Sequence, residues 1–263
     1  MFYKQKVLAL NNRFLKKVIR KTSKIILGKD ITNDAFDNGM LVKKYTKGKS
    51  FADIGALWGV HGANTFIAEE NGAIRSVAVD VYPETKEFIE EKKKRNSKVE
   101  FLMGDINSQT TIKQVGQCDV VLCAGVIYHT PDPSHMLSNL RAITKEILIL
   151  NTASIPEISG LKNGAVFYPY LNENQRKVWN RGIGSQKAIT GPYEPKEGYA
   201  NWFWGMTPSC IESLLRVAGF EVIERYVFNF RTVFVCKTSP IQFVPESGEW
   251  NMPKDKAFDK FRH

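Results

Sequence analysis

The chain has 263 residues, 43% of them hydrophobic, enough for one ordinary domain with an insertion or cap and too apolar for a disordered or fibrous class. Its net charge is +10, but residues 1–29 hold nine Lys or Arg and no acid, leaving 28 bases and 27 acids for residues 30–263. A uniformly basic nucleic-acid-binding surface is therefore not indicated.

No apolar run reaches the roughly 18 residues of a membrane span, and the N-terminus lacks a secretory apolar core, which predicts a soluble protein. Cys118, Cys123, Cys210 and Cys236 have no CxxC or Cys/His metal spacing. They read as reduced, structural thiols and favour a cytoplasmic setting, with no metal site.

In residues 1–29, Val7, Leu8, Phe14, Leu15, Val18, Ile25 and Ile26 recur at helical spacing, with Lys16, Lys17, Arg20 and Lys24 on the opposite side. This predicts a basic amphipathic helix that docks on its own domain, touches a membrane surface, or grips RNA phosphates. Residues 30–40 read as a polar connector. Strands are then expected near 50–54, 74–80, 98–103, 118–124 and 146–151, with helices near 60–70, 83–95, 107–115 and 133–143. This alternation implies a doubly wound, mostly parallel α/β sheet of Rossmann-like type.

Residues 152–206 break the rhythm with Gly, Pro, Asn, Tyr and Trp, as an inserted cap would. Thr207-Pro208-Ser209 opens another helix, ended by Gly219. Runs near 220–228 and 231–237, turned at Asn229, predict an antiparallel C-terminal hairpin in a seven-stranded sheet. The expected organisation is thus an N-terminal helix (1–29), a nucleoside-binding core (30–151), a cap (152–206), the end of the core (207–237) and an irregular tail (238–263).

The core turns on residues 49–80, KSFADIGALWGVHGANTFIAEENGAIRSVAVD. A strand ending in Asp53, a turn through Gly55 and Gly59, a helix, and a strand ending in Asp80 form a βαβ nucleoside site. Leu57 stands where GxGxG would have its middle glycine. Asp53 ahead of the turn would oppose a pyrophosphate but suit a cationic amine or sulfonium. S-adenosylmethionine carries both. Asp80 is placed to accept from a ribose diol, and Asp105, ending the third strand, from an adenine amine.

These motifs are similar to class I S-adenosylmethionine-dependent methyltransferases over 49–151. DIGALWG, GVIYHTPDP, the Trp-rich TPS helix start and FRTVFVCK more narrowly resemble the family around the tRNA wobble-uridine carboxymethyltransferase, over roughly 45–237. The resemblance implies that Gly55, Asp80, Asp105 and Ala124 line the cofactor, with Ala56, Gly59, Val81 and Ile106 beside them. It also matches Tyr128 and Arg231 to residues that meet an extra cofactor carboxylate in the carboxymethyl branch. That branch expects Trp and Lys about twenty residues before the turn, where this chain has Asp34, Ala35, Phe36 and Asp37. Unsubstituted S-adenosylmethionine is accordingly expected rather than a carboxylated cofactor. The Asn/Asp-Pro-Pro-Tyr motif of base-amine methyltransferases is also missing at Ala124-Gly125-Val126-Ile127.

Methyl transfer from a sulfonium is an in-line displacement, so the protein must hold the acceptor and remove a proton where that acceptor is a hydroxyl. His129 is the candidate base, next to Tyr128; the alternative is that it orders its loop by bonding a backbone carbonyl. Tyr168, Tyr170, Trp179, Arg181, Tyr193, Tyr199, Trp202, Phe203 and Trp204 make the insert either an acceptor wall or the private core of a cap. Tyr168, Trp202, Trp204 and Arg231 are assigned to the acceptor. The expected function is methyl transfer to a small molecule, at a hydroxyl of a sugar or secondary-metabolite-like acceptor. The alternatives are an RNA-modifying methyl- or carboxymethyltransferase using residues 1–29, and a non-catalytic nucleotide-binding protein.

Overall fold

The computed structural model describes residues 36–176, 191–228 and 230–240. The predicted basic helix of 1–29, Trp179, Arg181, the Asn229 turn and the tail from 241 lie outside them.

Nine strands and six α-helices are placed in the described chain. They are α1 (Asn38–Tyr45), β1 (Ser50–Ile54), α2 (Ala63–Glu70), β2 (Arg75–Asp80), α3 (Lys86–Lys94), β3 (Glu100–Met103), α4 (Gln109–Val115) and β4 (Cys118–Ala124). After a 3-10 turn (Ile127–His129) come α5 (Pro133–Ile143), β5 (Thr144–Ala153) and β6 (Ala165–Phe167). A second 3-10 turn (Pro195–Ala200) then precedes β7 (Trp204–Met206), α6 (Pro208–Val217), β8 (Phe220–Val227) and β9 (Arg231–Thr238).

The main sheet has the order β3-β2-β1-β4-β5-β9-β8. Strands β3, β2, β1, β4 and β5 pair in parallel, and β9 alone runs against its neighbours β5 and β8. The predicted Rossmann-like sheet with an antiparallel C-terminal hairpin is thereby borne out, with β8 on the edge.

Strict alternation along the strands explains the layering. Ala52, Ile54, Val77, Val79, Val121, Cys123, Leu148 and Leu150 face one buried cluster, together with Leu137, Leu140, Ile211 and Leu215 from α5 and α6. Phe51, Val120, Leu122, Ile147 and Ile149 face the other, together with Leu41 and Val42 from α1. A sheet apolar on both faces is stable only between helices, which is the period-2 signature of a buried parallel sheet.

Helix α1 falls where the sequence predicts the end of a polar connector. Asp37 caps it by accepting from Gly39 N at 2.9 Å. Glu224 of β8 ties down its far end, accepting from Lys44 Nζ (2.6 Å), from the Tyr45 hydroxyl and from Tyr226 (2.6 Å). Hydrogen bonding from Lys44, then from the two tyrosines, lowers the Glu224 pKa to about 2. Strands β6 and β7 pair as a small antiparallel ladder, and Ile155 and Tyr168 form a further buried cluster with Trp202 and Phe230 against it. Among the described residues, no helix is long and apolar enough to cross a membrane.

Candidate active site

A cavity of about 440 Å³ opens at the C-terminal ends of β1 to β4, where the strand order reverses between β1 and β4. Open α/β sheets bind ligands at this switch point because the loops diverge there.

The β1 turn is locked by its glycines. Gly55 has φ +77°, and a Cβ on it would lie 2.4 Å from Val126 Cγ2. Gly55 N and Ala56 N both donate to Val79 O, at 2.9 and 3.2 Å. Gly55→Ala is expected to cost about 3 kcal/mol, from left-handed strain plus overpacking, read as a lower denaturant midpoint. Gly59 also has a positive φ but open space around its Cβ position, so Gly59→Ala should cost only about 1 kcal/mol.

Asp80 closes this turn from the next strand. Its Oδ2 accepts from Leu57 N at 2.9 Å and its Oδ1 from Tyr82 N at 3.0 Å. Leu57, the bulky residue in the glycine turn, points inward at 2% exposure and packs with Ala56 and Phe66. Trp58 is 83% exposed and stands at the cavity mouth. Helix α2 starts at Ala63 after Gly62, later than the predicted residue 60. His61 therefore precedes it and bonds Thr85 Oγ1 at 3.1 Å.

Asp53 is 1% exposed, with Oδ2 lacking any hydrogen-bond partner among the described residues. Burial pushes its pKa up to about 7; Asn64 pulls it down, and the Asp80 charge raises it further. A buried carboxyl with an unmet oxygen at the cavity wall is a site for a cationic group. On β3's side, Asp105 Oδ1 accepts from Asn107 N (2.8 Å) and its Oδ2 from the Tyr199 hydroxyl (2.5 Å).

The β4 side carries the aromatic wall. Tyr128 and Trp202 have ring centroids 4.2 Å apart, and His129 meets Trp202 edge-on at 5.8 Å. His129 Nδ1 is 2.8 Å from Asn201 O. Burial lowers the imidazole's pKa, opposed by that hydrogen bond. Burial raises the Tyr128 phenol to about 12, with the Arg231 cation acting against it.

Of the sequence-predicted site residues, Asp53, Gly55, Asp80, Val81, Asp105, Ile106, Ala124, Tyr128, His129 and Trp202 converge on the cavity. Ala56 is fully buried behind the turn, and Gly59 lies outside the lining. Tyr168, at 7% exposure, belongs to the cap cluster. Trp204 donates from Nε1 to Pro131 O at 3.0 Å and packs on Phe167, so it pins the cap rather than lining the cleft. Arg231, paired with Ala153 at the start of β9, is also outside the lining.

Asn38, Asn64 and Tyr199 line the cavity unforeseen as cofactor-side residues. Asn38 is positioned by accepting from Asn151 Nδ2 at 2.7 Å. A helix-capping signal at Asp37 could have brought it forward.

Residues 53–147 match the family model described as a methyltransferase domain. The comparison with curated protein sequences found no match. Among solved structures, the N-terminal domain of EvdMO1 with SAH bound is similar at 16% identity and a TM-score of 0.52, over 78% of this chain and 82% of that one. The 1,6-didemethyltoxoflavin-N1-methyltransferase of Burkholderia thailandensis, with bound 1,6-didemethyltoxoflavin and S-adenosylhomocysteine, has 16% identity and a TM-score of 0.51, over 89% and 90%. The [4+2]-cyclase SpnF has 12% identity and a TM-score of 0.52, over 77% and 80%.

At such identities the likeness concerns the fold, and a cyclase among the neighbours underlines that fold alone does not set chemistry. The domain match lies on the strands that build the cleft, so residues 53–147 carry a methyltransferase domain on a Rossmann-like sheet.

Proposed function

We propose that this enzyme methylates a hydroxyl of a small-molecule acceptor, with His129 as the general base. The observation that carries the reading is the His129–Asn201 hydrogen bond. A carbonyl only accepts, so Nδ1 bears the hydrogen and the neutral ring keeps its lone pair on Nε2. Nε2 has no hydrogen-bond partner among the described residues, and His129 lines the cavity. The carbonyl bond orders the loop, as the second reading of the sequence has it, and is compatible with the tautomer a base would need.

S-adenosylmethionine supplies the electrophilic methyl group. Asp80 would hold its ribose diol, Asp105 its adenine edge, and the unmet oxygen of Asp53 its cationic end, as the charge and placement of these groups support. Tyr128 and Trp202, inclined at 42° to each other, would form an aromatic wall for the acceptor, and Nε2 of His129 would take the hydroxyl proton. Arg231, which the carboxymethyl resemblance puts at a cofactor carboxylate, is absent from the cavity lining, and this favours the unsubstituted cofactor.

The test is release of S-adenosylhomocysteine against a panel of sugars, phenolic metabolites and unmodified tRNA. Turnover with a hydroxylated small molecule is expected; turnover with tRNA alone would replace this reading. Once an acceptor is found, His129→Ala should lower kcat by about 10²- to 10⁴-fold and leave S-adenosylhomocysteine affinity within about threefold.

A further inference from the structure

Residues 194–201 form a strap whose Tyr199 and Ala200 line the cleft. One side chain keeps this strap in shape. Asn201, 7% exposed, donates from Nδ2 to Glu194 O (2.7 Å) and Gly198 O (3.0 Å), while its Oδ1 accepts from Glu194 N (3.0 Å). Gly198, at φ +51° and ψ −124°, makes the bend that these bonds close.

The strap is anchored at its C-terminal end by contacts to both sides of the cleft. Tyr199 bonds Asp105 on one side. On the other, Asn201 O meets His129 Nδ1, and Phe203 N donates to Tyr128 O at 2.9 Å. The amide of Asn201 thus bonds its own segment, and the functional product of that closure is the position of one carbonyl.

We propose that Asn201 is a positioning residue of the reaction: by closing the strap it holds the carbonyl that keeps His129 in its Nδ1–H tautomer, with Nε2 free to accept a proton. The proposal rests on His129 acting as the base. The imidazole has no ion-pair partner among the described residues. Its titratable ring neighbour is Tyr128, kept protonated by burial, and the Arg231 charge acts on that phenol. The tautomer is therefore set by the carbonyl and not by a carboxylate, unlike arrangements in which an acid orients the ring.

The test needs no acceptor. Ring-nitrogen NMR of the full chain with ¹⁵N-labelled histidine, with and without S-adenosylhomocysteine, reads the tautomer directly, and His129→Gln assigns the signals. The wild-type protein at pH 8 should show His129 almost wholly as Nδ1–H. In Asn201→Ala the ratio of Nδ1–H to Nε2–H should fall about tenfold, the worth of one ordinary hydrogen bond, while S-adenosylhomocysteine still binds.

Asn201→Asp keeps the Oδ1 acceptor but loses both donors, and should shift the ratio the same way; it decides the matter if the alanine variant does not fold. A wild-type ring dominated by Nε2–H would overturn the proposal, as would an unchanged ratio in a variant that still binds S-adenosylhomocysteine. Full turnover by His129→Ala would instead sink the base assignment while leaving the tautomer result standing, so the two failures are separable.

Discussion

Asp80→Asn is expected to weaken S-adenosylhomocysteine binding by about 100-fold, measured by calorimetry. The carboxylate, 6% exposed, accepts from Leu57 N with one oxygen and from Tyr82 N with the other. Asparagine has one oxygen for these two donors, and its amide nitrogen would face an N–H. A ribose diol held by Asp80 would lose a charge-assisted acceptor and meet an N–H in its place, which at about 3 kcal/mol is roughly 100-fold in affinity, whereas the lost backbone bond falls on stability.

On the proposed reading of Asp80 as the diol's acceptor, the substitution also loosens the 55–58 turn. Asp105→Asn should be milder, about threefold to tenfold, because one of its oxygens accepts from a phenol that can also donate to an amide oxygen. Asp80→Asn binding as tightly as wild type would remove the diol from β2.

What the sequence made legible was whatever repeats or closes locally. The strands were readable because their apolar residues must fill both faces of the sheet, as Phe51 and Ala52 do by turning to opposite clusters. Asp53, Asp80 and Asp105 could be grouped because parallel strands deliver their C-terminal ends to one edge: Asp80 ends β2, Asp53 stands one residue before the end of β1, and Asp105 two residues after β3. Tyr199 was visible only as one aromatic among many, since nothing within residues 195–200 encodes that its hydroxyl meets a carboxylate 94 positions earlier.

The same holds for Trp202 and Trp204. Two residues apart, they share a composition signal, yet one stacks on Tyr128 in the cleft and the other bonds Pro131 O. Helix α1 was missed because its apolar stripe is only Leu41 and Val42, buried against the sheet, and its far end is tied by Glu224, 180 residues from Lys44. Tertiary partners decided these cases, and a linear pattern carries no trace of them.

Asp53 should make the free protein more stable at pH 5.5 than at pH 8, after allowance for every other group. Its folded pKa of about 7 stands above an unfolded value near 3.9. Between those two values the folded state holds a proton that the unfolded state has lost, so stability falls as pH rises through the window and is level above it. Between pH 5.5 and the folded pKa about 1.5 pH units are crossed, which at 1.36 kcal/mol each gives an upper figure of about 2 kcal/mol.

His129, with its pKa lowered by burial, acts the other way just below pH 6.5, so the useful comparison is with Asp53→Asn. That variant should lose most of the difference in denaturation free energy between pH 5.5 and 8. A cation bound beside Asp53 would favour its ionised form, so S-adenosylmethionine should release close to one proton per site at pH 6 and none at pH 8. Calorimetry in two buffers of different ionisation heat reads this directly. Affinity should rise with pH by up to about tenfold per unit from 5 to 7 and then level off. Binding with no proton release at pH 6 would mean that Asp53 is already charged in the free cleft, and its assignment to the cationic end of the cofactor would lose its physical basis.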